Sequence, residues 1–109
     1  MEFINLTPHP VVVGQRTFPP SGTIARCEEF WEGTSPDRYD DVPIVRGFKY
    51  DNPNLPEFKT GTIYIVSLPV AMSKAAAHRI DLVVPIGQLR DESGKIIGAT
   101  ALAFIDSNV

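Results

Sequence analysis

The sequence predicts an α+β fold, a strand-rich mixed sheet or partly open barrel with one short helix inside a strand-helix-strand crossover at residues 61–85. Three observations carry this expectation. Ten prolines and eight glycines fall mostly between short apolar runs, the punctuation of strands joined by irregular loops. Those runs are rich in β-branched residues, whose stiff side chains suit a pleated surface. Residues 68–79 alone depart from this pattern, with Ala71, Ala75, Ala76 and Ala77 favouring helix. At 109 residues the chain has the size of one domain with one core, so a single domain over 1–109 is expected.

In chain order, strands are expected at residues 3–6, at 11–14 after Pro8 and Pro10, at 17–18, and at 23–27 beyond the turn Pro19-Pro20-Ser21-Gly22. Residues 28–41 set Glu28, Glu29, Glu32, Asp37, Asp40 and Asp41 against Arg38 alone and are broken by Gly33 and Pro36. They read as a flexible, solvated acidic loop. A strand returns at 42–50, with Gly47 suggesting a bulge, and a second loop spans 51–61. Thr62-Ile63-Tyr64-Ile65-Val66-Ser67 is the continuous β-prone run of a central strand covered on both faces. Pro69 suits a first helical turn, and Asp81-Leu82-Val83-Val84-Pro85 resumes a strand. Such a crossover places its two strands parallel, with right-handed connection. The turn Arg90-Asp91-Glu92-Ser93-Gly94 separates 86–89 from 95–98 and predicts a hairpin. A last apolar run covers 99–105, and residues 106–109 read as a flexible tail.

Composition narrows the function classes. The single cysteine, Cys27, excludes an intramolecular disulfide or an all-cysteine metal site and fits a reducing compartment. Its strand-like setting before Glu28 and Glu29 raises a thiol pKa, as in a core residue. A net charge of -3 and a pI near 5.2 argue against duplex nucleic acid as a partner. No stretch approaches the roughly 20 apolar residues of a membrane span. The opening Met1-Glu2-Phe3-Ile4-Asn5 lacks the basic start and apolar run of a signal peptide, so the expected location is cytoplasmic.

Candidate chemistry lies in three places. Asn5, Thr7 and His9 concentrate polar groups around Pro8 and Pro10. His9 is positioned to act as a general base or donor, or else Asn5 and Thr7 bond to turn backbone and His9 stays half exposed. Ser67 stands where a buried strand meets a helix start. It serves there as an anion contact or as a helix cap; Gly-x-Ser-x-Gly, the setting of a hydrolase nucleophile, is absent. Arg79 and Asp81 bracket Ile80 and read as an ion pair near the helix end. If the first strand lies beside 62–67, then Asn5, Thr7, His9, Ser67 and Arg79 share one ligand-binding patch. His9 and His78 lack metal-ligand spacing, so neither metal nor cofactor is expected. Phe30, Trp31 and Tyr39 pose a separate question, because aromatics are costly to expose in a solvated segment. Either they fold back onto the core, or they anchor a basic partner or a second copy of the chain.

The opening Asn5-Leu6-Thr7-Pro8-His9, the turn-strand Pro20-Ser21-Gly22-Thr23-Ile24-Ala25-Arg26, the run Gly61 to Ser67, and Arg79-Ile80-Asp81-Leu82 leading to Arg90-Asp91-Glu92-Ser93-Gly94-Lys95-Ile96-Ile97-Gly98 together resemble small, functionally unassigned proteins of bacteriophages and bacterial genomes. The resemblance implies a phage or prophage setting and transfers no catalytic residue; residues 28–41 fall outside it. The leading expectation is a small non-enzymatic binding protein, a phage accessory factor that sequesters a small anionic host ligand or inhibits a host protein. An enzyme acting on a phosphorylated or nucleotide-like substrate is the rival, with His9 as acid-base and Ser67 and Arg79 holding the anion. A third reading is a virion or assembly component that forms a homo-oligomer.

Overall fold

A computed structural model describes residues 1–105; the tail expected at 106–109 lies outside the described residues. The strands are β1 (Glu2–Asn5), β2 (Val11–Val13), β3 (Arg16–Phe18), β4 (Glu28–Tyr39), β5 (Val42–Asp51), β6 (Thr62–Ile65), β7 (Leu82–Arg90) and β8 (Ile96–Phe104). Six of them form one mixed sheet in the order β1-β6-β7-β8-β2-β3. Its two edges meet. Asn5 bridges to Pro20 in parallel, and the Ser21 N–H donates to the Asn5 carbonyl at 2.9 Å, so the sheet curls nearly closed. β4 and β5 form a sheet of their own.

The crossover at 61–85 has the expected geometry: β6 pairs with β7 in parallel, Tyr64 opposite Leu82 and Ile65 opposite Val83. The expected helix over 68–79 is much shorter. A helix α1 covers Leu68–Ala71 and a separate 3₁₀ turn covers Lys74–Ala76. Ser73 causes the break. Its N–H and its Oγ both bond to the Val70 carbonyl, at 3.2 and 2.7 Å, so the next α-helical turn cannot form. The helical part of the fold is thus one turn of α-helix and one of 3₁₀-helix.

Because side chains alternate along a strand, β6 and β7 bury both faces. Ile63, Ile65 and Val83 point into the curled sheet with Phe3, Val11, Phe18 and Leu102. Tyr64, Val66, Leu82 and Val84 face outward, under Val70, Ala71 and Ala76 of the crossover, together with Leu6 and Ala25. Alanines on the covering segment permit this close approach.

Three further sequence expectations change. Residues 23–27 form no strand; the Ala25 N–H donates to the Leu6 carbonyl, while the Asn54 side chain clasps the segment by accepting from the Arg26 N–H at 2.6 Å and donating to the Ile24 carbonyl at 3.0 Å. The hairpin expected about the turn at residues 90–94 is present, but its strands are longer than expected: β7 runs on unbroken from the crossover, and the runs at 95–98 and 99–105 merge into β8. Asp91 orders that turn by accepting from the Ser93 hydroxyl and from the Ser93 and Lys95 amides. These bonds, the Ser93 hydroxyl foremost, hold its carboxyl below its ordinary pKa. Most consequentially, residues 28–41 are not a loop but strand β4 and its turn. Acidic side chains on both faces keep the strand solvated, so hydrophobic patterning does not betray it.

Asn5 is the polar centre of the curled sheet, 2% exposed. Its Nδ2 donates to the carbonyls of Phe18 at 2.8 Å and His9 at 2.9 Å, and its Oδ1 accepts from the Thr7 N–H at 2.8 Å and the Thr7 hydroxyl at 2.6 Å. One amide thus ties β1 to β3 and shapes the turn between β1 and β2. Asn5→Ala leaves two carbonyls and the Thr7 groups without this partner and is expected to cost about 2–4 kcal/mol in urea unfolding. Asn5→Asp is expected to destabilise too, since a carboxylate cannot donate. A loss within the roughly 0.5 kcal/mol of an ordinary surface change would show that the amide does not hold the seam.

Candidate functional site

The five residues expected to share a patch separate in the structure, although β1 does lie beside β6 in parallel, Asn5 opposite Ile65. Asn5 points into the curled sheet and is fully engaged there. His9 is exposed; its carbonyl, not its imidazole, is what Asn5 and Thr7 use. Arg79 is bound bidentately to Asp81, Nε to Oδ1 at 2.9 Å and Nη2 to Oδ2 at 2.8 Å, beside the start of β7. Ser67 follows the end of β6, which runs parallel to β7, and so sits at the opposite end of the sheet. It holds the N-cap position of α1 without making a side-chain capping bond. A one-turn helix also contributes little dipole, so the helix start offers no special attraction for an anion.

The Arg79–Asp81 pair is a structural lock, as the bracketing of Ile80 suggested. Asp81 is 2% exposed, and the hydrogen bonds to its carboxylate raise the Arg79 pKa further above its ordinary value. Arg79→Met strands a buried carboxylate and is expected to cost about 3–5 kcal/mol, read as a lowered urea midpoint.

Two of the expected residues, Thr7 and Ser67, do share one place on the surface. They line an open hollow of 270 Å³ with Leu6, Pro8, Ile24, Ala25, Arg26, Cys27, Tyr50, Pro69 and Val70. It lies beyond the carboxyl ends of the adjacent parallel strands β1 and β6. Arg26, Cys27 and Tyr50 were not singled out for this place from the sequence. Arg26 reaches the rim because the Asn54 clasp holds its backbone there, a contact across 28 residues that no local pattern reveals. Cys27 is half-buried and donates to the Pro69 carbonyl at 3.7 Å. Burial, with the Asp51 charge adding to it and a hydrogen bond with Ser73 opposing it, pushes the Cys27 thiol pKa up.

Above the hollow, β4 and β5 project as a two-stranded arm. Its turn is tight, with Asp40 and Asp41 at φ 50° and 65° between the paired Tyr39 and Val42. Register shifts fall between Phe30 and Glu32 and between Glu32 and Asp37. Gly47, at φ 66°, sits opposite the first, where a bulge was expected. Arg46 stiffens the outer half through Asp37 at 2.9 Å and the Tyr39 hydroxyl at 2.6 Å. Phe48 and Tyr50 meet edge to face with centroids 5.0 Å apart, and Tyr50 connects this aromatic pair to the hollow. The aromatics of the arm do not fold back onto the core. Phe30 is half-buried, while Trp31, Tyr39, Val42, Ile44, Phe48 and Tyr50 are exposed, and no residue of β4 or β5 is buried.

The arm carries seven acids (Glu28, Glu29, Glu32, Asp37, Asp40, Asp41, Asp51) and three bases (Arg38, Arg46, Lys49), a net of -4. The rest of the chain is left at +1 of the total -3. The radius of gyration, 16.4 Å, exceeds the roughly 13 Å of a compact chain of this length, as a projecting element requires.

The raised thiol pKa has a sign that can be measured. The folded thiol keeps its proton to higher pH than the unfolded one, so its contribution to stability is complete below the ordinary thiol pKa and is lost as pH rises through the raised folded value. Alkylation of Cys27 by iodoacetamide is therefore expected to be slower in the folded chain than in urea throughout the neutral to mildly alkaline range, with a rate inflection at higher pH. Equal rates would contradict the burial of the thiol. In comparisons with protein-family models, with curated proteins and with solved structures, nothing matches this chain.

Proposed function

We propose that this chain is a non-enzymatic binding protein whose binding element is the β4–β5 arm, and that the arm engages another polypeptide. One observation carries the reading: a hairpin of two long strands holds Trp31, Tyr39, Val42, Ile44, Phe48 and Tyr50 exposed and buries none of its residues. An isolated two-stranded hairpin is marginally stable in water, and each large apolar side chain gains about 1.5–3 kcal/mol when fully buried. Covering one face of the arm therefore releases free energy that the isolated chain leaves unused. Trp and Tyr are also the residues that most often anchor protein interfaces.

The enzyme reading finds no such support. It asks His9, Ser67 and Arg79 to converge, whereas Arg79 is committed to Asp81 at the other end of the sheet from Ser67 and the His9 ring lies exposed. The phage or prophage setting follows from the resemblance of the motifs in the body, and within it an arm of this kind suits either inhibition of a host protein or assembly with copies of itself.

A photo-crosslinking residue placed at Trp31 or at Ile44, in cells making the chain, is expected to capture the same polypeptide from both positions. The same residue at the exposed Thr17 on β3 is expected to capture nothing comparable. Mass spectrometry of the adducts then tells a second copy of the chain from a host protein. Adducts no more abundant from the arm than from Thr17 would sink the proposal.

A further inference from the structure

We infer that the hollow at the root of the arm is a separate binding site for a small organic anion, a carboxylate or phosphate group carried on an apolar body. The inference does not rest on what the arm engages.

Its walls divide by chemistry. Leu6, Ile24, Pro69 and Val70 offer apolar surface, and Arg26 and Ser67 stand with them in the lining. Among the described residues the exposed Arg26 guanidinium has no hydrogen-bond or ion-pair partner; only its backbone is engaged, its N–H by the Asn54 side chain and its carbonyl by the Asn54 N–H. The Ser67 hydroxyl makes no capping bond. Two other polar groups are already taken: the Thr7 hydroxyl is held by Asn5 and the His9 carbonyl, and the Cys27 thiol by Pro69; Tyr50 adds its ring and hydroxyl to the lining. An unpaired guanidinium is a planar fork of donors that matches a carboxylate or phosphate, and an apolar hollow with a few convergent polar groups is the usual form of a small-ligand site.

Charge also orients the occupant. Asp51 acts on the Cys27 side of the hollow, where its charge helps to keep the thiol protonated, so the anionic end turns to Arg26 and Ser67 and the apolar body lies over Pro69 and Val70. The volume, 270 Å³, suits a single ring or a short chain rather than a nucleotide, since pockets for drug-sized ligands run from about 300 to 1,000 Å³.

The test is an NMR titration of the full-length, amide-labelled chain with benzoate, phenyl phosphate, inorganic phosphate and benzyl alcohol. Benzoate or phenyl phosphate is expected to bind saturably, moving the amides of Ala25, Arg26, Ser67 and Val70; which of the two binds more tightly identifies the anionic group. Inorganic phosphate, lacking the apolar body, and benzyl alcohol, lacking the charge, are each expected to bind at least about tenfold more weakly. Arg26→Met is expected to weaken the best probe by at least about tenfold and Ser67→Ala to weaken it less, with the spectrum of the folded chain otherwise retained. Lys59→Met, away from the hollow, should leave binding unchanged. Absence of saturable binding by both aromatic anions, equal binding of benzyl alcohol or inorganic phosphate, or undiminished binding to Arg26→Met would each overturn the inference. These outcomes are read from residues of the body in the isolated chain, without any partner on the arm, so they leave the polypeptide-binding proposal to its own crosslinking test.

Discussion

A buried amide with four hydrogen bonds holds the two ends of the main sheet together. The backbone bond from Ser21 to the Asn5 carbonyl and the packing of Phe3 on Phe18 bring β1 and β3 together, and the Asn5 side chain fastens them. With it, the Phe18 carbonyl, the His9 carbonyl and the Thr7 groups are satisfied at one point, and the chain is directed from β3 past Pro20 towards Leu6. Everything at the mouth of the hollow follows from that path. Residues 23–27 are laid along the end of β1, Arg26 is brought to the rim, and Cys27 begins the approach to the arm. An asparagine suits this task because it donates and accepts simultaneously without carrying charge into the interior. Placing so many bonds on one side chain also makes the seam sensitive to a single atom.

The legible parts of the sequence were those whose periodicity is local. The run from Thr62 to Ser67 announces a strand buried on both faces, and the parallel pairing of β6 and β7 follows from the helical segment between them. Asn5 and Thr7, just ahead of Pro8 and Pro10, foreshadow a turn held by side chains, and that is how they act, leaving the His9 ring outside. The alanines of the crossover signal helix, but local propensity does not register the competing bonds of Ser73 to Val70, which cut the helix to a turn. The arm escaped for a different reason. Strand patterning becomes visible through burial of one face, and β4 buries neither, so its acids, Gly33 and Pro36 read as a loop. Its pairing with β5 is a fact about two segments together. Arg26 is similar: its importance comes from Asn54, distant in sequence, and from the carboxyl end of β6, more distant still.

The division of charge follows the division of structure. The body is close to neutral, with a partly buried Arg79–Asp81 pair beside the start of β7 and a self-contained Asp91 turn at the tip of the β7–β8 hairpin. All of the net negative charge belongs to the arm, where the Arg46–Asp37 ion pair is exposed and contributes little to stability. Charges that do little for the fold are free to act on encounter with a partner, by favouring basic surfaces and repelling acidic ones. The apolar side chains between them supply the area that such an encounter would bury.

An exposed ribbon of this kind invites trouble, since each outer strand edge is a template on which another chain can add. The register shifts along β4 and the glycine bulge in β5 answer that hazard. A straight edge would accept identical copies without limit and build a fibril; an edge interrupted at Phe30 to Glu32 and again before Asp37 offers no long run of evenly spaced backbone groups to copy. The same irregularities that spoil the ladder thus let the chain keep a sticky surface in a crowded solution without polymerising through it.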